Sequence, residues 1–448
     1  MNANFFQNVI YPFYETHLRQ RKTLVYYREL ERSQWLSPKE LEHNQQEALG
    51  KLLRHAYTHV PYYRDMFHAL GILPEDIRTP EDFRRLPHLT KDIIRENFDR
   101  LVAVNFKDKL IAKATGGSTG VPLNFAHDHD SYQWRMAAAR RGYTWAGCQD
   151  GQSTIYIWGA PITVQSKFRR IKESLHQRML GRKVFNSFHF DAAAMNACFK
   201  YINRARPQGM VGYTSAVYHL AEFIKKSGRA CVKIPAIITA AEKVFPHQRV
   251  LIEEVFGGKV FNSYGSREFM LIGMECEKHE GLHLNIENLV VEILKDGEPV
   301  GPGETGEVVV TDLHNYGFPF IRYSLGDLAI AGTRACGCGR GLPLIKDVEG
   351  RLLDVIRTQK GTIVPGEFFP HLMKEFNEVH QFQVIQKELN SLELKMVCRE
   401  PLDSERTRFL NGALIKVFGD ELRIDIQYVD FIPLTASGKF RVTISEVT

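Results

Sequence analysis

Between Thr115 and Gly120 the chain sets three glycines and three hydroxyl residues into six positions, Thr115-Gly116-Gly117-Ser118-Thr119-Gly120. Glycines let a backbone turn through positive φ and bring its N–H groups close to a ligand. Hydroxyls add short donors, and Leu110-Ile111-Ala112 just before reads as the end of a strand. A strand running into such a loop is a natural cradle for polyphosphate. It is not the common nucleotide loop, which ends in Gly-Lys-Ser/Thr and opens a helix. Here Val121-Pro122 follows Gly120, and the proline blocks a helix in that register.

With 448 residues the chain can hold two or more domains and a large core. Its hydrophobic share of 44% and charged share of 25% place it among ordinary globular proteins rather than disordered or membrane-embedded ones. The net charge of +6 reads as spread along the chain, which argues against a nucleic-acid binder while tolerating an anionic ligand. Apolar runs such as Ile234-Pro235-Ala236-Ile237-Ile238 are far too short to span a bilayer. The start, Met1-Asn2-Ala3-Asn4-Phe5-Phe6, lacks the basic opening of a secretory signal. Seven cysteines are odd and sparse for a disulfide scaffold, so a cytoplasmic location is expected.

The first hundred residues read as helical, with Leu49, Leu52, Leu53, Ala56 and Tyr57 at helical spacing within 45–67. From 100 to 345, short apolar runs (153–158, 236–239, 259–261) alternate with helical patterns such as 246–256. That alternation predicts an α/β layered domain with a substantial parallel sheet. Strands are expected at 289–294 and 307–311, joined through the turn Lys295-Asp296-Gly297-Glu298. The last hundred residues predict a helix at 366–377, strands at 381–387 and 392–398, a helix at 403–418 and a strand at 423–431. This is a small α+β domain. The expected organisation is therefore a large layered α/β domain over 1–349 and a small C-terminal α+β domain over 350–448.

Five further segments carry chemistry. Thr239-Ala240-Ala241-Glu242 puts small residues at the C-terminal end of a buried strand, where open α/β sheets bind ligands. Asn262-Ser263-Tyr264-Gly265-Ser266-Arg267-Glu268 offers an aromatic face, a glycine and a carboxylate. Ile321-Arg322-Tyr323-Ser324-Leu325-Gly326-Asp327 presents an acid after a glycine. Gly350-Arg351 lies at the domain boundary, and Thr435-Ala436-Ser437-Gly438-Lys439 places a lysine in a small-residue loop.

In that order, from about Thr115 to Arg441, these segments resemble the adenylate-forming ligase superfamily. The phenylacetate–coenzyme A ligase and capsular-polysaccharide branch is the nearest in pattern. Thr305-Gly306-Glu307 through Asp312-Leu313, Cys336-Gly337-Cys338-Gly339-Arg340 and His59-Val60-Pro61-Tyr62-Tyr63 look like that branch. The resemblance implies that Thr115, Gly116, Gly117, Ser118, Thr119 and Gly120 wrap the β- and γ-phosphates of ATP. Ala240, Ala241 and Glu242 would line the adenine and Tyr264 would stack on it, within the nucleotide-binding stretch Asn262, Tyr264, Gly265, Ser266, Arg267. Glu268 would hold Mg²⁺, Asp327 both ribose hydroxyls, and Arg351 the ribose or phosphate. Lys439, with Glu268 and Thr119, would form the catalytic set, its cation offsetting the charge that builds as a carboxylate attacks the α-phosphate. A mobile C-terminal domain would then rotate and bring Lys360-Gly361 to the site while a thiol attacks the acyl-adenylate. The implied partners are a small-molecule carboxylic acid and coenzyme A, with a homodimer left open. Three positions depart from the family pattern: Gly116 where a serine is frequent, Arg267 where a Thr or Ser hydroxyl is frequent, and Leu353 where the first of two hinge acids often stands.

The acid is not readable from these motifs; aromatics near its expected pocket, by Tyr213-Thr214-Ser215 and by Tyr132 and Trp134, suit either an aromatic acid or simple core packing. The acceptor is coenzyme A or, alternatively, an amine or hydroxyl of a surface polysaccharide. A non-catalytic nucleotide binder would need neither Glu268 nor Lys439.

Finally, Cys276 precedes His279 and His283, and Cys336 and Cys338 follow. Three cysteines and one histidine form a tetrahedral zinc set, closed to water and hence structural. His283, whose Gly281-Leu282-His283 setting resembles the ligase branch, is the fourth ligand the resemblance implies, and His279, at Cys-x-x-His spacing, is the rival.

Overall fold

A computed structural model describes residues 5–115, 123–159, 167–332, 335–349, 356–360, 363–364, 366, 368–373, 375–376, 378–433 and 442–447. The chain divides into two compact units. One takes residues 1–113, 124–149 and 261–350; the other takes 114–123, 150–260 and 351–448.

The first unit begins with helices, as the sequence predicts. Ser37 starts one by a capping box: its hydroxyl accepts from Glu40 N at 3.3 Å, and Glu40 Oε2 accepts from Ser37 N at 2.9 Å. The single helical stretch expected over 45–67 is two helices, Pro38–His59 and Pro61–Leu70. Pro61 has no N–H to continue the first helix and serves as the opening residue of the second. The strands are ordered Glu298–Pro299, Leu289–Lys295, Thr305–Asp312, Tyr323–Ala331, Leu344–Val348, Leu282–Leu284, Gly273–Glu275 and then Lys259–Tyr264, which joins this unit from Phe261. All these pairings are antiparallel. The predicted turn after Leu294 is present, with Asp296 and Gly297 both at positive φ, 53° and 85°. Leu110–Ala114 and Asn124–Asp128 form a separate two-stranded sheet.

The expected parallel sheet lies in the second unit alone. Its order is Ala236–Ala240, Gly209–Tyr213, Thr154–Trp158, Arg182–Asn186. Ala236–Ala240 is buried but for its last residue, the pattern of a strand covered on both faces. The C-terminal part of this unit is a four-stranded sheet ordered Arg423–Tyr428, Ser391–Cys398, Val379–Glu388, Thr443–Ser445, with the helix Ser404–Phe418. It departs from the predicted β-β-α-β unit by the added strand Thr443–Ser445, parallel to Val379–Glu388. The two sheets of this unit share one apolar core, in which Phe188 meets Phe368 edge to face at 5.4 Å.

Candidate active site and metal centre

Two acids of the first unit are held crosswise by two tyrosines. The strand Lys259–Tyr264 ends in a tight loop that only glycine permits, since a Cβ on Gly265 would stand 1.8 Å from Met270 O. Met270 N donates to Ser266 O at 2.8 Å and Ile272 N to Tyr264 O at 2.9 Å, so the loop folds back and carries Ser266, Arg267 and Glu268 on its turn. Glu268 is buried and accepts from Tyr323 Oη at 3.1 Å. Asp327 sits on the same strand as Tyr323, Tyr323–Ala331. There the pairing with Thr305–Asp312 slips between Glu307 and Val309, and Gly326 takes φ +77°. This bulge re-aims Asp327 out of the ladder, and its Oδ2 accepts from Tyr264 Oη at 3.1 Å. Tyr264 and Glu268, from one segment, are thus tied to Asp327 and Tyr323 from another. Arg322, just before Tyr323, is a structural anchor. At φ +50° it bonds Glu292 through two nitrogens at 3.1 Å, and its Nη1 donates to the carbonyls of Arg84 and Leu86. A non-glycine residue at such a φ persists only where its surroundings over-determine it.

Buried basic groups missed by the sequence reading lie in the same unit, one of them in range of Glu268. Arg135, fully buried, pairs with Asp312, donates to Ser131 Oγ at 2.7 Å, and lies within electrostatic range of Glu268. Its Nε has no partner among the described residues. Burial, with Arg135 and Lys113 nearby, pushes His127 down to about 2, so this imidazole is neutral at physiological pH. Lys113 lies 5.2 Å from the Tyr132 ring centre, and burial followed by Arg267 and Arg135 lowers its pKa. These groups come from 113, 127, 135, 267 and 312, with no local spacing that could have joined them.

In the second unit the segment expected to line the adenine ends the strand Ala236–Ala240. Ala241 stands at φ +68°, a strained conformation for alanine. Glu242 accepts from Ser215 N at 2.6 Å and from Ser215 Oγ at 3.0 Å, pinning the first turn of the helix Thr214–Lys226. Its carboxyl is therefore committed to a helix N-terminus, although burial outweighs the bonds from Ser215 and raises its pKa. Thr115 N donates to Leu123 O at 2.8 Å, and Leu123 N donates to Thr115 Oγ1 at 3.0 Å. That hydroxyl oxygen thus serves the neck of the loop. Gly116, Gly117, Ser118, Thr119, Gly120, Arg351, Leu353, Gly361 and Lys439 lie outside the described residues.

Of the aromatics expected near the acid, Trp134 is core. It stacks on His314 at 4.0 Å and on Tyr26 at 4.3 Å. Tyr213 is likewise buried, against Trp158 at 4.5 Å.

The cysteines converge. Ligand atoms of Cys276, His283, Cys336 and Cys338 all lie within 4.8 Å of one another. Cys276 follows the strand Gly273–Glu275, His283 is central in Leu282–Leu284, and the two remaining thiols sit in the turn before Leu344–Val348, which pairs with His283 through Leu344. Gly281 at φ +138° and Gly339 at φ +84° supply the bends. His283 Nδ1 lies 3.3 Å from Leu342 O and Nε2 lies 3.3 Å from Cys338 Sγ. Donation from Nδ1 to the carbonyl leaves the Nε2 lone pair on the thiols, the second-shell pattern of a metal-bound histidine. Burial pushes His283 down to about 4, so it is neutral, as a ligand must be. The rival His279 is elsewhere, with Nδ1 3.1 Å from Glu275 Oε2 and its ring against Phe261 at 4.7 Å. Three thiols and one imidazole fit Zn²⁺.

A family model described as the CapK C-terminal domain matches residues 356–446. Over 438 residues the chain is 25% identical to Protein CapK of Staphylococcus aureus, covering 96% of this chain and 94% of that one. It is 26% identical to a phenylacetate–coenzyme A ligase of Thermus thermophilus, over 81% of this chain and 82% of the relative. Among solved structures, 2-hydroxyisobutyryl-CoA ligase in its thioesterification state superposes with a TM-score of 0.64 at 18% identity, covering 93% of this chain and 92% of the other. The same ligase in its postadenylation state gives a TM-score of 0.60 at 19% identity. The fold is thus that of these ligases.

Proposed function

The chain belongs to the adenylate-forming ligase superfamily, in the branch of CapK and the phenylacetate–coenzyme A ligases, and from this premise we propose that it activates a small carboxylic acid with ATP and passes the acyl group to coenzyme A. The observation that carries the reading is the crossed pair of tyrosine-held acids, Glu268 and Asp327. Asp327 accepts the ribose hydroxyls, and its bond from Tyr264 sets the carboxylate before the nucleotide arrives. The buried carboxyl of Glu268, with Arg135 within electrostatic range, offers oxygen ligands to a hard cation shared with a polyphosphate. Mg²⁺ bound there would offset the charge of the triphosphate. Lys439 approaches the substrate carboxylate and the α-phosphate, so attack on phosphorus does not build uncompensated anionic charge. Pyrophosphate leaves, and the thiol sulfur then attacks the acyl carbonyl and displaces AMP. The stretch 350–448 is the small domain that would change position between the two half-reactions, and its core contact between Phe368 and Phe188 would have to part as it moves. Cys276, His283, Cys336 and Cys338 hold one structural Zn²⁺.

The match to the CapK C-terminal domain favours a second reading of the acceptor, an amine or hydroxyl of a surface polysaccharide. Pyrophosphate release over aryl, fatty, amino and sugar acids tests adenylation. AMP release that rises only with coenzyme A supports the thioester. Pyrophosphate release indifferent to coenzyme A moves the acceptor to the second reading, and none with any acid overturns the activity.

A further inference from the structure

The helix Lys167–Met179 lies between the parallel strands Thr154–Trp158 and Arg182–Asn186. A crossover helix ordinarily turns its apolar stripe onto the sheet, as Thr214–Lys226 does with Val217, Leu220, Ala221 and Ile224. In Lys167–Met179 the stripe is turned outward. Phe168, Ile171 and Leu175 recur at helical spacing and are 77%, 60% and 61% exposed. Among the described residues, the stretch after it ties the helix down. Leu180 is buried and its carbonyl accepts from Gly151 N at 3.1 Å. Gly181, at φ +74°, accepts from Thr154 N at 3.0 Å.

Charge gathers on the same segment. The helix has five Lys or Arg against one Glu. Carried on to Lys183 the tally is seven to one, an excess equal to the +6 of the entire chain. The excess expected to be spread along the sequence is therefore concentrated in this segment, although Arg182, paired with Asp150 at 2.6 Å, adds no free charge beside the stripe. At about 100° of rotation per residue, the exposed Lys172 and Arg178 flank the stripe on opposite sides.

From an outward apolar stripe bordered by concentrated positive charge, we infer that Lys167–Met179 is an interfacial helix that docks the protein on an anionic lipid surface. Such a surface satisfies both features at once: acyl chains take the stripe and headgroups take the cations. A nucleic acid would meet the charge and leave the stripe in water. A second copy would set two like-charged helices face to face. The helix is roughly 20 Å long at the usual rise, enough to lie in the interface plane. Its apolar chains reach into the headgroup–acyl boundary while the lysine and arginine stems snorkel outward. Docking is peripheral, since among the described residues no helix is long and apolar enough to cross a membrane.

The test is sedimentation of the full-length protein with phosphatidylcholine vesicles, with and without phosphatidylglycerol, at low and high salt. The expected result is pelleting with the anionic vesicles alone, weakening as salt rises. Lys172→Gln and Arg178→Gln should each lower the partition coefficient about fivefold. Phe168→Ser, Ile171→Ser and Leu175→Ser together should abolish pelleting at an unchanged thermal midpoint, because all three side chains are exposed. Equal pelleting with pure phosphatidylcholine, or wild-type pelleting by the triple variant, overturns the inference. So does a triple variant that only turns a dimer into a monomer in analytical ultracentrifugation, or a protein that binds duplex DNA and no vesicle.

Discussion

Asp327 is the residue whose role can be isolated most cleanly, because its partner Tyr264 can donate equally well to an amide oxygen. Asp327→Asn should keep the fold while apparent ATP affinity falls about tenfold, the cost of turning charge-assisted bonds to the ribose into neutral ones. Turnover at saturating ATP should change little. Initial rates across an ATP series check this, and an unchanged KM would remove the ribose role. Lys439→Ala should leave nucleotide binding near wild type while ATP–pyrophosphate exchange drops by about 10² or more. Exchange at the wild-type rate would rule out the lysine as the attacking-step cation. His127 supports a prediction on pH. Its folded pKa of about 2 lies well below the ordinary histidine value. The unfolded chain therefore binds more protons, and stability is lost as pH falls below about 6.5, by up to about 1.4 kcal/mol per pH unit. Thermal midpoints from neutral pH to pH 4 should fall less steeply in His127→Gln than in the wild type. Parallel slopes would show that His127 is already protonated in the fold. None of this was legible at position 127, whose surroundings come from Lys113 and Arg135. Glu268 and Asp327 stood out because each follows a glycine motif that is itself local.

Among elements, the bulged strand Tyr323–Ala331 has the sharpest consequence. Gly326→Ala forces a Cβ into positive φ at about 1–2 kcal/mol. If the bulge aims Asp327, the variant should lose thermal stability and also weaken ATP binding as Asp327→Asn does. A lower midpoint with wild-type KM for ATP would separate the bulge from binding. Sequence periodicity found most elements here, among them Pro246–Phe256 to the residue, because apolar spacing and proline or glycine stops are local signals. The outward turn of Lys167–Met179 was not legible, because helical spacing reports that a stripe exists and not which side it faces. The extra strand Thr443–Ser445 escaped because three residues carry no period.

At the scale of the whole molecule, the antiparallel strands of the first unit bring Cys276, His283, Cys336 and Cys338 together across sixty-two positions of sequence. The purified protein should carry about one zinc ion per chain. Cys336→Ser with Cys338→Ser should release it, and chelation should lower the thermal midpoint with activity falling only as folding fails. Metal analysis and a melting curve with chelator decide this. Protein that melts identically with and without chelator has no structural metal. Composition showed the cysteines but not their meeting, since spacing allowed His279 as readily as His283. The strand pairing of Leu344 with His283 brings that histidine, the expected ligand, to the three thiols. A structural zinc ion held by these four residues would have a cellular consequence. A chain that folds with its ion and loosens without it is exposed to proteases in proportion to its apo fraction. Zinc starvation would then deplete the protein itself well before any catalytic group lost its function, and its abundance would report the metal status of the cell.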